Sequence, residues 1–458
     1  MSLKQRKYYQ LIPQKILQKL ATIEALIEPK IDNYSTDNLK EVISIVACHT
    51  RKENEEIPLK MYYFRCLVPA GDLYVKHLTE TGVILQSGYY VPGQLSFKYS
   101  FAPKYKSKFI ALPLTNAKLI LRIEQAYDRF RRDAAKTARG HLDQTKYLNS
   151  KHLTIDPGYI DFLKENLTAG TEQYNLILAN AMRIVNGDIT YKVDTTSGRF
   201  HSNITNLVKG LRPYLRIDGQ QLCNIDVKNS QPYLSTIILT NPGKVSYMTR
   251  NPAFALLLET LKVTMSEDVK KYISLVVSGQ LYEYLMQEFA SEGLHLNRAE
   301  TKVQVLRILF ARNRAPKNEI NRKAREVFKT RFPKVHRIFS KVRGHERGDK
   351  FSNFKRFSIL LQRIEAYLML DRVIKRIYKE LPGTIAITIH DSVLTGILTN
   401  NVAAVRKILI DELTFFVGFP PQINIEGLEK EKEGKELTIT FSNQYDAQNL
   451  VNVNKLMN

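Results

Sequence analysis

The stretch Thr384–Thr395, T-I-A-I-T-I-H-D-S-V-L-T, constrains the fold more than any other part of the chain. Ile385, Ile387 and Ile389 alternate with small residues, and Val393 resumes the apolar run after His390-Asp391-Ser392. A period of two on both sides of a polar step predicts a strand, a tight turn and a second strand. The turn carries a carboxylate, which is costly at the tip of an apolar hairpin unless a cation or opposite charge meets it. Leu222–Val227, L-C-N-I-D-V, is a second apolar strand that delivers an aspartate, Asp226. If the two strands are neighbours, Asp226 and Asp391 can share divalent cations.

Charge narrows the partners. Lys and Arg number 68 against 45 Asp and Glu, a net charge of +23. Such an excess favours polyanions through phosphate contacts and counterion release. No basic amphipathic helix supports an anionic membrane as the rival partner, and no apolar run reaches spanning length. The basic start M-S-L-K-Q-R-K is not followed by an apolar segment of signal type. The expectation is a soluble, cytoplasmic protein with no membrane partner. Its 458 residues suggest two to four domains, and 44% hydrophobic content allows a sizeable core. Cys48, Cys66 and Cys223 fit neither a disulfide framework nor a zinc pattern, so reduced and mostly buried thiols are expected.

Along the chain, residues 1–57 read as a helical N-terminal segment. Helices are expected over Tyr8–Ile27 and Asn38–Ala47, with Asn33, Ser35 and Thr36 supplying turn and cap chemistry. In 58–105, helices at Leu59–Leu67 and Asp72–Thr81 precede Gly82–Leu85, a turn at Gly88, Tyr89–Val91, a Pro92-Gly93 turn and the alternating Leu95–Phe101. Two helices and a two-stranded ribbon resemble a winged-helix module, which could touch nucleic acid or serve as a protein scaffold. Residues 106–188 read as helical, thumb-like or connecting. Leu119–Ala135 carries Arg122, Arg129, Arg131 and Arg132, either a solvated face or a duplex grip. Asp156-Pro157 opens a further helix, Thr171–Val185 follows, and Asn186-Gly187-Asp188 marks the main boundary.

Four stretches then follow in a set order. They are S-G-R-F-H-S-N at 197–203 with Asn206-Leu207, N-I-D-V-K-N-S-Q-P-Y at 224–233, R-A-E-T-K at 298–302 continuing to Leu306 and Phe310, and I-H-D-S at 389–392. In order and spacing they resemble the family A DNA polymerases and their relatives, the phage-type single-subunit RNA polymerases. The resemblance spans roughly residues 190–430. It includes F-K-T-R-F-P at 328–333, Gln362 on a helix, and a closing helix and strand at Val402–Phe416 and Gln422–Glu426. It implies an α+β fold with a right-hand polymerase core. An antiparallel palm sheet would lie in 189–244 and 351–430, helical fingers in 245–350, and a C-terminal tail in 431–458.

The resemblance also implies roles. Nucleotidyl transfer is an in-line displacement in which two divalent ions activate the attacking hydroxyl and stabilise the leaving pyrophosphate. Asp226 and Asp391 would be the catalytic carboxylates holding two Mg2+, for which Mn2+ could substitute. Arg298 and Lys302 share a face of one predicted helix, and Phe310 winds away from it. The basic pair would hold the triphosphate, with Phe310 beside sugar and base. This chain departs from the family with Leu306 where the DNA enzymes carry an aromatic, and with Phe310-Ala311 where tyrosine and glycine are usual. Arg199, Gln362 and His390 would touch primer or template. Residues 312–356 hold sixteen Lys and Arg against four Asp and Glu, a solvated run or a path for template phosphates.

Sugar choice turns on the residue that crowds the 2′ position. Counting without gaps puts Gln231 there, and aligning Ser230-Gln231 puts Tyr233 there. His-Asp-Ser looks more like the RNA enzymes, whereas Phe310 lacks the hydroxyl used in ribose selection. The balance leans to DNA synthesis, with DNA template, primer and nucleoside triphosphates as partners. The alternatives are a single-subunit RNA polymerase or primase-like enzyme, a nuclease, and a non-catalytic DNA-binding replication protein with a decayed polymerase fold. No paired-carboxylate exonuclease pattern precedes residue 190. The winged-helix-like module could tie synthesis to a mobile element's own origin or terminus.

Overall fold

In a computed structural model of the chain, the described residues are 6–49, 56–91, 95–344, 355–397 and 401–427. The Pro92-Gly93 turn and the tail 431–458 lie outside them. The fold is mixed α and β, and its sheets are antiparallel. Two compact units divide the described chain. The first holds 6–192 and 202–221, the second 193–201 and 222–427.

The first unit begins with a strand where a helix was expected. β1, Tyr8–Pro13, pairs with β5, Phe109–Leu114, with Tyr8 opposite Leu114. Tyr8, Tyr9 and Ile12 favour an extended chain, and the residue before Pro13 is biased away from the helical region. Helices start only at α1, Gln14–Gln18, and α2, Leu20–Ile27, before α3, Thr36–His49. The helical reading of 106–185 is corrected in the same way. β5 lies within it, and so does β6, Leu153–Ile155, which pairs with β9, Leu215–Ile217. Between them stand α6, Ala117–Thr137, and α7, Leu142–Thr145; α8, Tyr159–Asn166, and α9, Glu172–Val185, follow.

The expected ribbon is a three-stranded sheet. β2, Ile57–Pro58, joins β3, Ile84–Ser87, and β4, Lys98–Phe101, in the order β2-β4-β3. Helices α4, Met61–Leu67, and α5, Gly71–Glu80, lie between β2 and β3 in the chain. Arg122 on α6 donates to the carbonyls of Cys66 and Arg65, and Arg131 donates to that of Gly187. Two of the four arginines of this helix are therefore tied to the unit's own backbone. Of the three free thiols only Cys223 is fully buried; Cys48 and Cys66 are half-buried.

A buried polar cluster gives this unit a pH-dependent stability. Asp188 Oδ2 accepts from Arg183 Nε at 2.5 Å, and Glu41 accepts from Gln10 Nε2 at 3.1 Å. Burial pushes the Glu41 carboxyl up from 4.5 to about 7, with the nearby Asp188 charge adding to the rise. Between those values the unfolded chain has released a proton that the folded chain keeps. Stability therefore falls as pH rises from about 4.5 to 7 and stays reduced above that. The loss is on the order of 3 kcal/mol. Glu41→Gln keeps an acceptor for Gln10 and is expected to flatten this dependence. Thermal unfolding at pH 5 and pH 8 checks it: equal slopes for wild type and variant would refute the assignment.

The second unit carries a sheet of order β11-β12-β10-β13. Its strands are β10, Gln220–Val227, of which 222–227 belong here, β11, Ala386–Ile389, β12, Ser392–Gly396, and β13, Ile423–Gly427. A tip, Val193–His201, joins β7, Tyr191–Val193, to β8, Phe200–Ser202. Cys223, Ile225 and Val227 alternate onto one face of β10 and enter the core with Val393. Helices cover that core. α10, Ser230–Thr240, α11, Pro252–Thr260, α12, Glu267–Val277, and α13, Leu281–Ser291, come first. α14, Arg298–Phe310, opens on a capping box in which Asn297 and Glu300 satisfy each other's backbone N–H groups. α15, Glu319–Arg331, and α16, Pro333–Arg343, precede α17, Arg356–Ala366. The last of these runs through a π-helical stretch, Tyr367–Ile374, into α18, Lys375–Glu380, and α19, Val402–Val417, follows.

The basic run of 312–356 splits physically. Arg343 is buried and donates to the carbonyls of Ile308 and Leu309, and burial pushes its guanidinium down to about 9. Arg325 and Arg356 likewise donate to main-chain carbonyls. These three hold the helices together, whereas Arg314, Lys317, Lys329 and Arg337 are exposed. Among the described residues, no helix is long and apolar enough to cross a membrane.

Candidate active site around Asp226 and Asp391

The ladder brings the two aspartates together. β10 and β12 pair with Ile225 opposite Val393 and Asp226 opposite Ser392. β11 and β12 pair with Ile389 opposite Ser392, so His390-Asp391 is a two-residue loop. Paired Cα atoms in such a ladder stand about 4.5–5.5 Å apart, and Asp391 is one residue from Ser392. Both carboxylates are half-buried at the same end of the sheet. His390 takes a left-handed backbone with φ 54°, which short hairpin loops favour and histidine tolerates better than branched residues. Its ring meets His201 edge-on at 5.8 Å.

A third carboxylate organises the surroundings. Glu365 on α17 is 3% exposed. Its Oε2 accepts from Arg199 Nη2 at 2.8 Å and from Gln231 Nε2 at 2.5 Å. Arg199 arrives on the tip Val193–His201, where Asp194 Oδ2 accepts from both Ser197 N and Ser197 Oγ at 2.6 Å and fixes the turn. Gln231 arrives in the first turn of α10, after Asn229 reverses the chain with φ 54°. Glu365 Oε1 and Gln231 Oε1 are buried and have no hydrogen-bond partner among the described residues. Burial pushes the Glu365 carboxyl up to about 7; the Asp391 charge adds to the rise and Arg199 opposes it. Ser230, Glu365 and Asp391 share the lining of one small cavity. Gln362, one turn before Glu365, is also buried.

Sequence reasoning missed Glu365. The signal was present: one carboxylate inside the apolar run I-E-A-Y-L-M-L at 364–370, which is expensive unless paired. It also missed the register of β13, which sets Asn424 opposite Asp226 and Glu426 opposite Asn224.

The other expected site residues are Tyr233, Phe310, Arg298 and Lys302. Tyr233 is 1% exposed within the core, and its hydroxyl donates to the Phe419 carbonyl at 2.7 Å. Gln231 donates to Glu365, and Tyr233 lines the same small cavity as Glu365 and Asp391. Phe310 is 5% exposed and packs edge-on against Phe357 at 6.4 Å, where it closes the end of α14 onto the core. The drift of about 40° per four residues carries it there. Arg298 is exposed, donates from Nε to Glu283 at 2.6 Å and lies over the Tyr282 ring. Lys302, one turn on, is half-buried.

Among the described residues, no group of three or more His, Cys, Asp or Glu could hold a metal ion. Mg2+ is seldom caged that way. It usually takes one or two carboxylates, several waters and substrate phosphates. A half-buried aspartate on β10 and another in the β11–β12 loop beside it fit that donor set.

No family model matches the chain, and no curated protein matches it. Among solved structures it is similar to the POL domain of Pol1 from M. smegmatis in complex with DNA primer-template and dNTP, at 11% sequence identity and a TM-score of 0.30. The match covers 67% of this chain and 65% of that one.

Proposed function

We propose that the chain is a template-directed nucleotidyltransferase, a DNA polymerase resembling family A. The observation that supports it is the ladder register that sets Asp226 beside the Asp391 turn, with Arg199, Gln231 and Glu365 gathered next to it. When bound, two divalent cations would supply the charge that activates a 3′-hydroxyl and stabilises a pyrophosphate. Asp226 and Asp391 would hold them. Arg199, Gln362 and His390 would position the primer terminus. Arg298 and Lys302 would meet the triphosphate, with Arg298 exchanging Glu283 for a phosphate oxygen, since charge-assisted contacts to either acceptor are of the same kind. Gln231, fixed by Glu365, would stand where the sugar is read. In the palm, fingers and thumb division, palm segments 189–244 and 351–430 would flank helical fingers at 245–350.

The test is extension of a labelled primer–template with Mg2+, with dNTPs and rNTPs in separate reactions. Extension with dNTPs is the expected result. Extension only with rNTPs would move the chain to the RNA polymerase reading, and shortening of the primer to a nuclease. Retained DNA binding with no reaction would favour the non-catalytic reading. Arg298→Ala is expected to raise the KM for the nucleotide at least about fivefold, the worth of one charge-assisted contact, with primer–template affinity unchanged.

A further inference from the structure

The first unit contains a groove of about 580 Å3, well inside the range of ligand sites. Its lining comes from β1 and β5, from β6 and the start of α8, and from α9. Arg6, Lys7 and Lys108 are the charged residues in that lining, and no described lining residue is acidic. Arg6 is anchored, because its Nη2 donates to the Ser150 carbonyl at 2.5 Å. Lys108 is held over α9: Asn175 bonds the backbone on both sides of it, through Ser107 O and Phe109 N at 2.9 Å each. Its ammonium lies 5.9 Å from the Tyr174 ring. Asp156, adjacent in sequence to the lining, is turned to Gly158 N and Arg216.

The rest of the lining is mostly apolar, with half-buried rings of Tyr9 and Tyr174 and an exposed Ile160. Flat aromatic and apolar surface below a cationic rim suits an occupant with planar faces and negative charges. We infer that this groove binds single-stranded nucleic acid, with bases against Tyr9 and Tyr174 and phosphates against Lys7 and Lys108. Stacking on aromatic side chains beside a positive groove is how single strands are held without sequence preference. A duplex hides its base faces and cannot use the rings. A nucleoside monophosphate carries one phosphate and cannot place a separate phosphate on each lysine. The chain's net charge of +23 favours a polymer for the same reason. The inference does not depend on the catalytic reading, because the groove lies wholly within the first unit.

The experiment uses the full chain and an oligonucleotide of about a dozen thymidines carrying 5-iododeoxyuridine, a length that matches known single-strand sites. Binding is followed by fluorescence anisotropy at fixed salt, and photo-crosslinks are mapped by mass spectrometry. Crosslinks at Tyr9 or Tyr174 are expected. Tyr174→Ala and Lys108→Glu should each weaken binding by at least about fivefold, the lower end for loss of a stacked base. Lys7→Glu changes an exposed side chain and provides a third variant that should stay folded, checked by circular dichroism. Crosslinks confined to the second unit, or affinities for all three variants within about twofold of wild type, would overturn the proposal. So would thymidine monophosphate competing as well as the oligonucleotide, or a duplex crosslinking at the same tyrosines.

Discussion

Asp391→Asn and Asp226→Asn are each expected to lower Mg2+-dependent primer extension by at least about a thousandfold while leaving the protein folded. The substitution keeps the side-chain shape and removes the charge. A carboxylate that holds a catalytic cation supports several kcal/mol of transition-state stabilisation, and each ~1.4 kcal/mol is tenfold in rate. Folding should tolerate both changes, since the two side chains are half-buried and the amide is of the same size as the carboxylate. For Asp391 there is a further reason. Its charge acts against the neighbouring Glu365 carboxylate, and removing it relieves a like-charge contact. Primer–template affinity should be unchanged or slightly tighter, because a negative charge near the phosphates has been deleted. Single-turnover extension on a preformed complex at saturating nucleotide, beside a thermal unfolding curve, separates these effects. An Asp391→Asn protein that extends within about tenfold of wild type would remove Asp391 from the chemistry.

What the sequence could and could not reveal follows from the range of the interactions involved. The hairpin of β11 and β12 was legible because its period of two and its polar break are local. That Asp226 pairs with Ser392 was not, because nothing local encodes the pairing of strands so far apart in the chain. The run Y-Y-Q-L-I-P at 8–13 looked helical because short apolar runs are ambiguous, and its partner Phe109–Leu114 decides the matter from about a hundred residues away. The choice between Gln231 and Tyr233 stayed open on counting alone. In the structure the Tyr233 ring packs in the core and lines the small cavity beside Glu365 and Asp391, while the Gln231 amide donates to Glu365. Phe310, on the last turn of α14, is buried with the core, which counting along the helix from Arg298 does not reveal.

Glu365→Ala is expected to shift the ratio of kcat/KM between deoxyribo- and ribonucleotides toward unity by at least about tenfold. The carboxylate is the shared acceptor of Arg199 and Gln231. Hydrogen bonds to charged groups contribute about 1.5–3 kcal/mol. Without that anchor the Gln231 amide loses its one fixed orientation, and a side chain that swings cannot distinguish the presence of one hydroxyl. Removing one partner of a buried ion pair also costs about 3–5 kcal/mol of stability, because it leaves Arg199 charged and 8% exposed. The alanine variant therefore cannot stand alone. Glu365→Gln keeps an acceptor oxygen for both donors at the same reach and should hold the sugar ratio within about threefold of wild type, as the loss of charge alone weakens but does not remove the bonds. Gln231→Ala, which leaves the Arg199–Glu365 pair in place, should reproduce the shifted ratio without the stability loss. A sugar ratio that stays fixed in both alanine variants, while only the melting temperature falls, would make Glu365 a strut for Arg199 with no part in reading the sugar.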